Sequence, residues 1–333
     1  MKFPFYRGEG KRNPELPVKL PVSKRERLLD PESYIADGGL RDACNVALLL
    51  GQPLLLTGEP GTGKTQFAYS LAWEFGLGTP LKFETKSDSV AQNLFYIYDA
   101  LKQFQDIQSN VAGNTALDYI TYQALGLAIL KSCEYKDVKD IVPKEFSSFE
   151  PQRSVVLIDE VDKAPRDFPN DLLNELDQLY FRISELGNTK VEVNPELRPI
   201  VIITSNSEKD LPDAFLRRCI YYNIPFPDSE KLADIVASRL GSNIDQRDRF
   251  LADALDLFDQ LRKPKSRLRK KPATAELLGW LIALKKFSET TENPLSNSEI
   301  VLKTLSSLIK TAEDRVQSKG IVEQWIETRT TKS

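Results

Sequence analysis

The sequence contains no histidine. That absence removes Ser-His-Asp and Cys-His hydrolase triads, histidine-ligated zinc and histidine general bases together. Cysteine is scarce: Cys44, Cys133 and Cys219 are isolated, odd in number and without metal-ligand spacing, so they read as reduced thiols of a cytoplasmic protein. No apolar run approaches the roughly 18 residues that a membrane span needs. Met1-Lys2-Phe3-Pro4-Phe5 carries one positive charge with no apolar stretch behind it, and no signal peptide is expected. A formal charge of −3 argues against a surface that binds polyanions as a whole. Catalysis, if any, must rest on carboxylates, lysine, arginine, backbone amides or a bound metal ion. Phosphoryl transfer uses that set.

What is present is ordinary globular composition, 41% apolar and 28% charged, which excludes a disordered or collagen-like chain. At roughly 150 residues per domain, the length predicts two domains. Residues 1–38 are polar and hold Pro4, Pro14, Pro17, Pro21 and Pro31, so they read as an extended arm. Helix is expected from about Leu40 to before Gly51, and from Gln66 to Phe75. Strands are expected at Pro53–Thr57, Leu81–Thr85, Val155–Ile158, Ile200–Ile203 and Ile220–Ile224. Continuous apolar strands alternating with helices are what a parallel sheet covered on both faces requires. The stretch 87–149 reads as mostly helical and polar, with aromatics at Phe95, Tyr96, Tyr98 and Phe104. Beyond Pro225–Pro227 only helical patterns remain. The expected domains are therefore 39–226, an α/β core, and 227–333, an all-helical domain.

Gly58-Glu59-Pro60-Gly61-Thr62-Gly63-Lys64-Thr65 matches the phosphate-loop pattern in full, after an apolar strand and before a helix. The glycines let backbone N–H groups turn around phosphate oxygens, and the helix N-terminus adds its positive dipole. Lys64 is placed to reach the β- and γ-phosphates, and the Thr65 hydroxyl to bind Mg²⁺. Leu157-Ile158-Asp159-Glu160 ends a buried strand in two carboxylates, one to hold Mg²⁺ through its water shell and one to activate water. Ile203-Thr204-Ser205-Asn206 ends a third strand in a polar cluster. Asn206 is placed to hydrogen-bond the γ-phosphate or the attacking water, with Thr204 as a helper.

With these residues the chain resembles the AAA+ ATPases, and within them the MoxR family, over about residues 33–325. Gly58–Thr65 stands as Walker A, Val155–Glu160 as Walker B and Asn206 as sensor 1. Leu216-Arg217-Arg218-Cys219 stands at the arginine-finger position, with Arg218 favoured over Arg217, and Asp159–Pro165 looks like the MoxR acidic-strand segment. The resemblance implies an αβα core with a five-stranded parallel sheet and a small helical lid. It also implies a ring, usually of six subunits, that hydrolyses ATP with Mg²⁺ between neighbours. The segment 87–149 resembles the helix-2 insertion of that clade, Tyr180–Val193 the hairpin before sensor 1, and Tyr34-Ile35 sits where relatives contact adenine. Glu276 stands about where a sensor 2 arginine is expected, leaving that task unfilled or to one of Arg269, Lys270 and Lys271. By resemblance the ring remodels a protein client, commonly a von Willebrand A-domain protein.

Two other readings share the motifs. A DNA-stimulated or restriction-type NTPase would use the seven positive charges between Arg262 and Lys271, although no interleaved aromatics offer a stacking surface there. A nucleotide-gated scaffold would bind ATP with little turnover, and the presence of Glu160 argues against it. Residues 1–226 hold 26 Lys and Arg against 32 Asp and Glu, opposite in sign to the C-terminal part, an asymmetry suited to stacking subunits head to tail.

Overall fold

The computed structural model describes residue 6 and residues 30–109, 113–142, 148–207, 211–241, 249–287 and 293–330. Most of the arm expected over residues 1–38 therefore lies outside the described residues. The chain divides into two compact units, one of them Tyr34–Phe226.

In chain order that unit holds α1 (Gly38–Leu50), β1 (Leu54–Thr57), α2 (Lys64–Glu74), β2 (Leu81–Glu84), β3 (Tyr96–Tyr98), α3 (Ala100–Gln108), β4 (Ile120–Tyr122), α4 (Ala124–Ser132) and α5 (Tyr135–Val138). It continues with β5 (Val155–Asp159), α6 (Phe168–Gln178), β6 (Tyr180–Ile183), β7 (Thr189–Glu192), β8 (Ile200–Thr204), α7 (Asp213–Leu216) and β9 (Ile220–Asn223). Five strands form one parallel sheet in the order β2-β5-β8-β1-β9. Every residue of the three inner strands is buried, whereas edge strands β2 and β9 alternate. Strands covered on both faces read as continuous apolar runs, and edge strands need not.

The period-two alternation of a strand sorts the core into two layers. Leu54, Leu56, Val155, Leu157, Ile200 and Ile202 pack with α1 and α2 through Leu40, Ala47, Phe67 and Leu71. Leu55, Val156, Ile158, Val201 and Ile203 pack on the other face with Phe168, Leu172, Leu125 and Ile129. The Asp37 carboxylate caps α1 by accepting the Leu40 N–H at 2.8 Å, and Gly51 ends it at φ 64°.

The stretch 87–149 departs from its mostly helical reading. β3 and β4 form an antiparallel ribbon there, with Tyr96 opposite Tyr122 and Tyr98 opposite Ile120. Three-residue strands are too short to show an alternation, which is why the pattern conceals them. Phe95 is buried and stacks on Phe181 at 5.1 Å, Tyr96 and Tyr122 also contact Phe181, and Tyr98 meets Tyr119 edge-on. The aromatics at 95, 96 and 98 thus serve packing. Gly126 of α4 lets the helix approach the β3 segment: a Cβ there would stand 2.0 Å from the Phe95 carbonyl oxygen, itself bonded to the Gln123 N–H. Helix α3 is inverted. Asp106 faces inward to Tyr119 and Asn114, while Leu101, Phe104 and Ile107 are more than half exposed.

The other unit contains α8 (Ser229–Leu240), α9 (Arg249–Arg262), α10 (Thr274–Phe287), α11 (Ser298–Thr304) and α12 (Ala312–Thr330), with no strand among the described residues. Phe250, Leu257, Phe258, Leu261 and Trp280 are fully buried, and the Trp280 indole donates to the Thr304 hydroxyl at 3.0 Å. The basic run is a tight connection from α9 to α10. The buried Asp314 carboxylate accepts the backbone N–H groups of Arg269 and Lys270, and Arg269 pairs with Glu313 at 2.7 Å. Glu276 accepts the Ala273 N–H at 3.0 Å and so caps α10.

Burial, reinforced by the Glu74 charge, pushes the Cys44 thiol up to about 11, and burial with the Asp177 charge pushes Cys219 up to about 12. Burial and the hydrogen bond to Asp37 raise the Tyr222 hydroxyl to about 12. The folded chain keeps these protons where an unfolded one, with ordinary values of 9.0 for the thiols and 10.0 for tyrosine, releases them. Their contribution is complete below about pH 9 and is lost as pH rises toward 12. Urea midpoints should fall across that window, and Cys219→Ala should flatten part of the decline. An unchanged slope would contradict the assignment.

Candidate functional site

The loop from Gly58 to Thr65 joins β1 to α2 and is built on glycine geometry. Gly58, Gly61 and Gly63 have φ of 138°, 80° and 93°. A Cβ on Gly58 would stand 2.5 Å from the Ile224 carbonyl oxygen, and one on Gly63 would stand 3.1 Å from the Tyr34 ring. The Thr62 hydroxyl donates to the Glu59 carbonyl at 3.0 Å. Lys64 is buried, and its ammonium donates to the carbonyls of Gly58 and Glu59 at 2.8 and 3.1 Å, so the loop curls around its own lysine. Burial pulls its pKa below the ordinary lysine value, against the opposing charges of Asp162, Asp159 and Glu160.

Parallel register aligns the carboxyl ends of β1, β5 and β8: Leu56 pairs with Thr204, and Ile158 with Ile203. The three motif segments follow those ends and meet. Asp159 Oδ1 accepts the Thr65 hydroxyl at 2.9 Å and the Thr204 hydroxyl at 2.7 Å, while Oδ2 faces the Lys82 ammonium at 3.0 Å. Burial alone would raise the Asp159 carboxyl, but those three donors and the Lys82 charge outweigh it and hold it below the ordinary aspartate value. The Glu160 N–H donates to the Thr204 oxygen at 2.9 Å.

Glu160 sits in the left-handed region at φ 58°, where the chain turns from β5 into the 3₁₀ turn Val161–Lys163. This conformation is uncommon for a residue with a side chain, and it turns Glu160 out of the strand direction. Its carboxylate pairs with Lys163 and lies 3.5 Å from the Asn206 amide, while the Asn206 N–H donates to Asp162 at 3.1 Å. Thr65, Asp159 and Thr204 are thus one cluster beside Lys64, and Glu160 and Asn206 stand next to each other.

Arg217 and Arg218 are elsewhere. They follow α7 and precede Ile220, which pairs with Leu54 at the amino end of β1, whereas the loop leaves the carboxyl end. Both are exposed, and Arg218 lies 3.8 Å from the equally exposed Asp177. The Tyr34 ring packs against Gly63 and edge-on to Phe67 at 6.0 Å, and Ile35 is 37% exposed. Lys82, Asp162 and Lys163 were not singled out by sequence. Lys163 is legible after the fact as the cation one turn past Glu160. Lys82 has no local signal, because its role depends on β2 lying beside β5.

Thr65 and Asp159 offer hard oxygen donors side by side, which suits a Mg²⁺ ion that keeps several waters and takes the rest of its shell from phosphates. Among the described residues no group of three or more His, Cys, Asp or Glu side chains could hold a metal by itself, and no helix is long and apolar enough to cross a membrane.

Two solved structures show a distant likeness. A RuvB variant of Thermotoga maritima is 15% identical over 87% of this chain and 75% of its own, with a TM-score of 0.47. A katanin from a study of katanin self-assembly is 13% identical over 89% and 83%, with a TM-score of 0.39. No curated protein matches the chain significantly. The family model of AAA, the ATPase family associated with various cellular activities, spans residues 54–227, from the first residue of β1 past the last strand of the sheet. That match takes in just over half of the chain, and the chain belongs to the AAA ATPase family.

Proposed function

We propose that this chain hydrolyses ATP with Mg²⁺ and does so as a ring of copies that remodels a protein client, in the manner of MoxR proteins. The observation that carries the ATPase reading is the Thr65–Asp159–Thr204 cluster at the head of α2, beside a complete phosphate loop. The loop amides and Lys64 bind the β- and γ-phosphates. Thr65 and Asp159 hold the Mg²⁺, which neutralises charge on the phosphates. Glu160 orients the attacking water and takes its proton, and Asn206 fixes that water or the γ-phosphate. Tyr34 and Ile35 flank the adenine.

The finger is supplied in trans. β1 is four residues long, about 13 Å at ~3.3 Å per residue, and Arg218 starts from the wrong end of it. Its exposed pairing with Asp177 is a weak tether, about 0–1 kcal/mol for such pairs, and leaves it available to a neighbour. A six-membered ring is the arrangement that the resemblance favours. For the client, the outward apolar face of α3 supports a protein partner, which the MoxR likeness makes a von Willebrand A-domain protein. The DNA-driven reading is weaker, since the basic run serves as the α9–α10 connection, its backbone held by Asp314 and its Arg269 paired with Glu313, and offers no aromatic stacking surface.

The test is ATP turnover per subunit against protein concentration. Turnover should climb steeply as subunits associate, with no stimulation by DNA. ATP binding without turnover at any concentration would favour the nucleotide-gated scaffold, in which the Lys163 pairing keeps Glu160 from water.

A further inference from the structure

The Asp159 carboxylate divides its two oxygens between different kinds of donor. Oδ1 takes both hydroxyls, from Thr65 and Thr204, while Oδ2 takes the Lys82 ammonium. The Asp159 side chain is only 10% exposed, so its charge is nearly out of water and needs a counter-charge. Lys82 supplies it from the neighbouring strand. Glu84, the residue paired with Asp159 across the two strands, holds the same ammonium at 2.7 Å from the outer side, with 71% of its side chain exposed. Lys82 is itself 28% exposed. It thus stands between a buried and a solvated carboxylate, with a short path from one to the other.

We propose that Lys82 acts as a tethered cation on Asp159 that must yield Oδ2 when Mg²⁺ and nucleotide bind, so that this lysine sets the Mg²⁺ concentration at which the site fills. With Oδ1 committed to the hydroxyls, Oδ2 is the oxygen left for the water shell of a cation held at Thr65. Two positive charges contending for one carboxylate oppose each other, and in a partly dry site the penalty is larger than in water. The ammonium has Glu84 and solvent to move to, which keeps the exchange reversible. Lys82 is a positioning residue in this scheme, since it acts through Asp159.

The inference rests on the ATPase reading and is tested separately from turnover. A fluorescent ATP analogue is titrated onto the full chain at increasing Mg²⁺. In Lys82→Met the Mg²⁺ concentration for half-maximal binding should fall about three- to tenfold, while Lys82→Arg, which keeps the charge, should behave as wild type. Without Mg²⁺, Lys82→Met should also unfold at lower temperature than wild type, because Asp159 loses its counter-charge. An unchanged or increased Mg²⁺ requirement in Lys82→Met would overturn the proposal. The increase would mean that the lysine only orients Asp159. If wild type binds no nucleotide at any Mg²⁺ concentration, the ATPase reading falls, and this inference with it.

Discussion

Replacing Arg218 by alanine is expected to lower ATP turnover about 10³–10⁵-fold, the range an arginine finger contributes in other phosphoryl-transfer systems, with ATP affinity largely kept. The expectation follows from where the sheet puts the residue. Arg218 precedes β9 at the level of Leu54, and the phosphate loop begins beyond Thr57, so the guanidinium and the loop of one chain lie at opposite ends of the same strand pair. On the proposed reading, that charge reaches the γ-phosphate of a neighbouring copy. Arg217, which also follows α7 and is exposed, is the control: Arg217→Ala should cost far less. The decisive measurement mixes two inactive proteins. Arg218→Ala chains retain Glu160, and Glu160→Gln chains retain Arg218, so mixed assemblies rebuild complete sites at shared interfaces. Recovery of turnover on mixing would establish the shared site; its absence, with assembly verified, would put the finger elsewhere.

Glu160→Gln is expected to cost about 10²–10⁴-fold in turnover, the range for loss of a general base. Glutamine keeps the size and the hydrogen-bonding reach to Asn206 while losing the ability to take a proton. Nucleotide should still bind, since Lys64, Thr65 and Asp159 are untouched, and the variant should hold ATP long enough to retain a client in a pull-down. The measurement is single-turnover hydrolysis beside equilibrium binding. A variant with wild-type turnover would remove Glu160 from the chemistry. The Lys163 ammonium contacts the same carboxylate, so Lys163→Met beside Glu160→Gln shows whether that contact bears on turnover.

Much of the core was legible because its local signals are strong. Val155–Ile158 and Ile200–Ile203 are unbroken apolar runs, and both are fully buried inner strands. The phosphate loop was legible because glycine spacing and the Lys-Thr pair form a complete pattern in eight consecutive residues. The ribbon of β3 and β4 was not, since three-residue strands leave too few positions for a period to show. Glu276 had a position but no task in the sequence. Its task as a cap of α10 is local chemistry that only the helix start reveals.

By itself the sequence determined the five strands of the parallel sheet and where the glycine loop lies, because backbone propensity and side-chain alternation act between near neighbours. It also determined which acids, hydroxyls and arginines are available for chemistry. Only the tertiary structure decided their partners. Strand order puts β2 beside β5, and so brings Lys82 to Asp159 across 77 positions of chain. Parallel register carries Thr65, Asp159 and Thr204 to one end of the sheet and leaves Arg218 at the other. Pairings of that kind depend on the whole packed sheet, because no local term in the chain carries information about which strand will lie beside which.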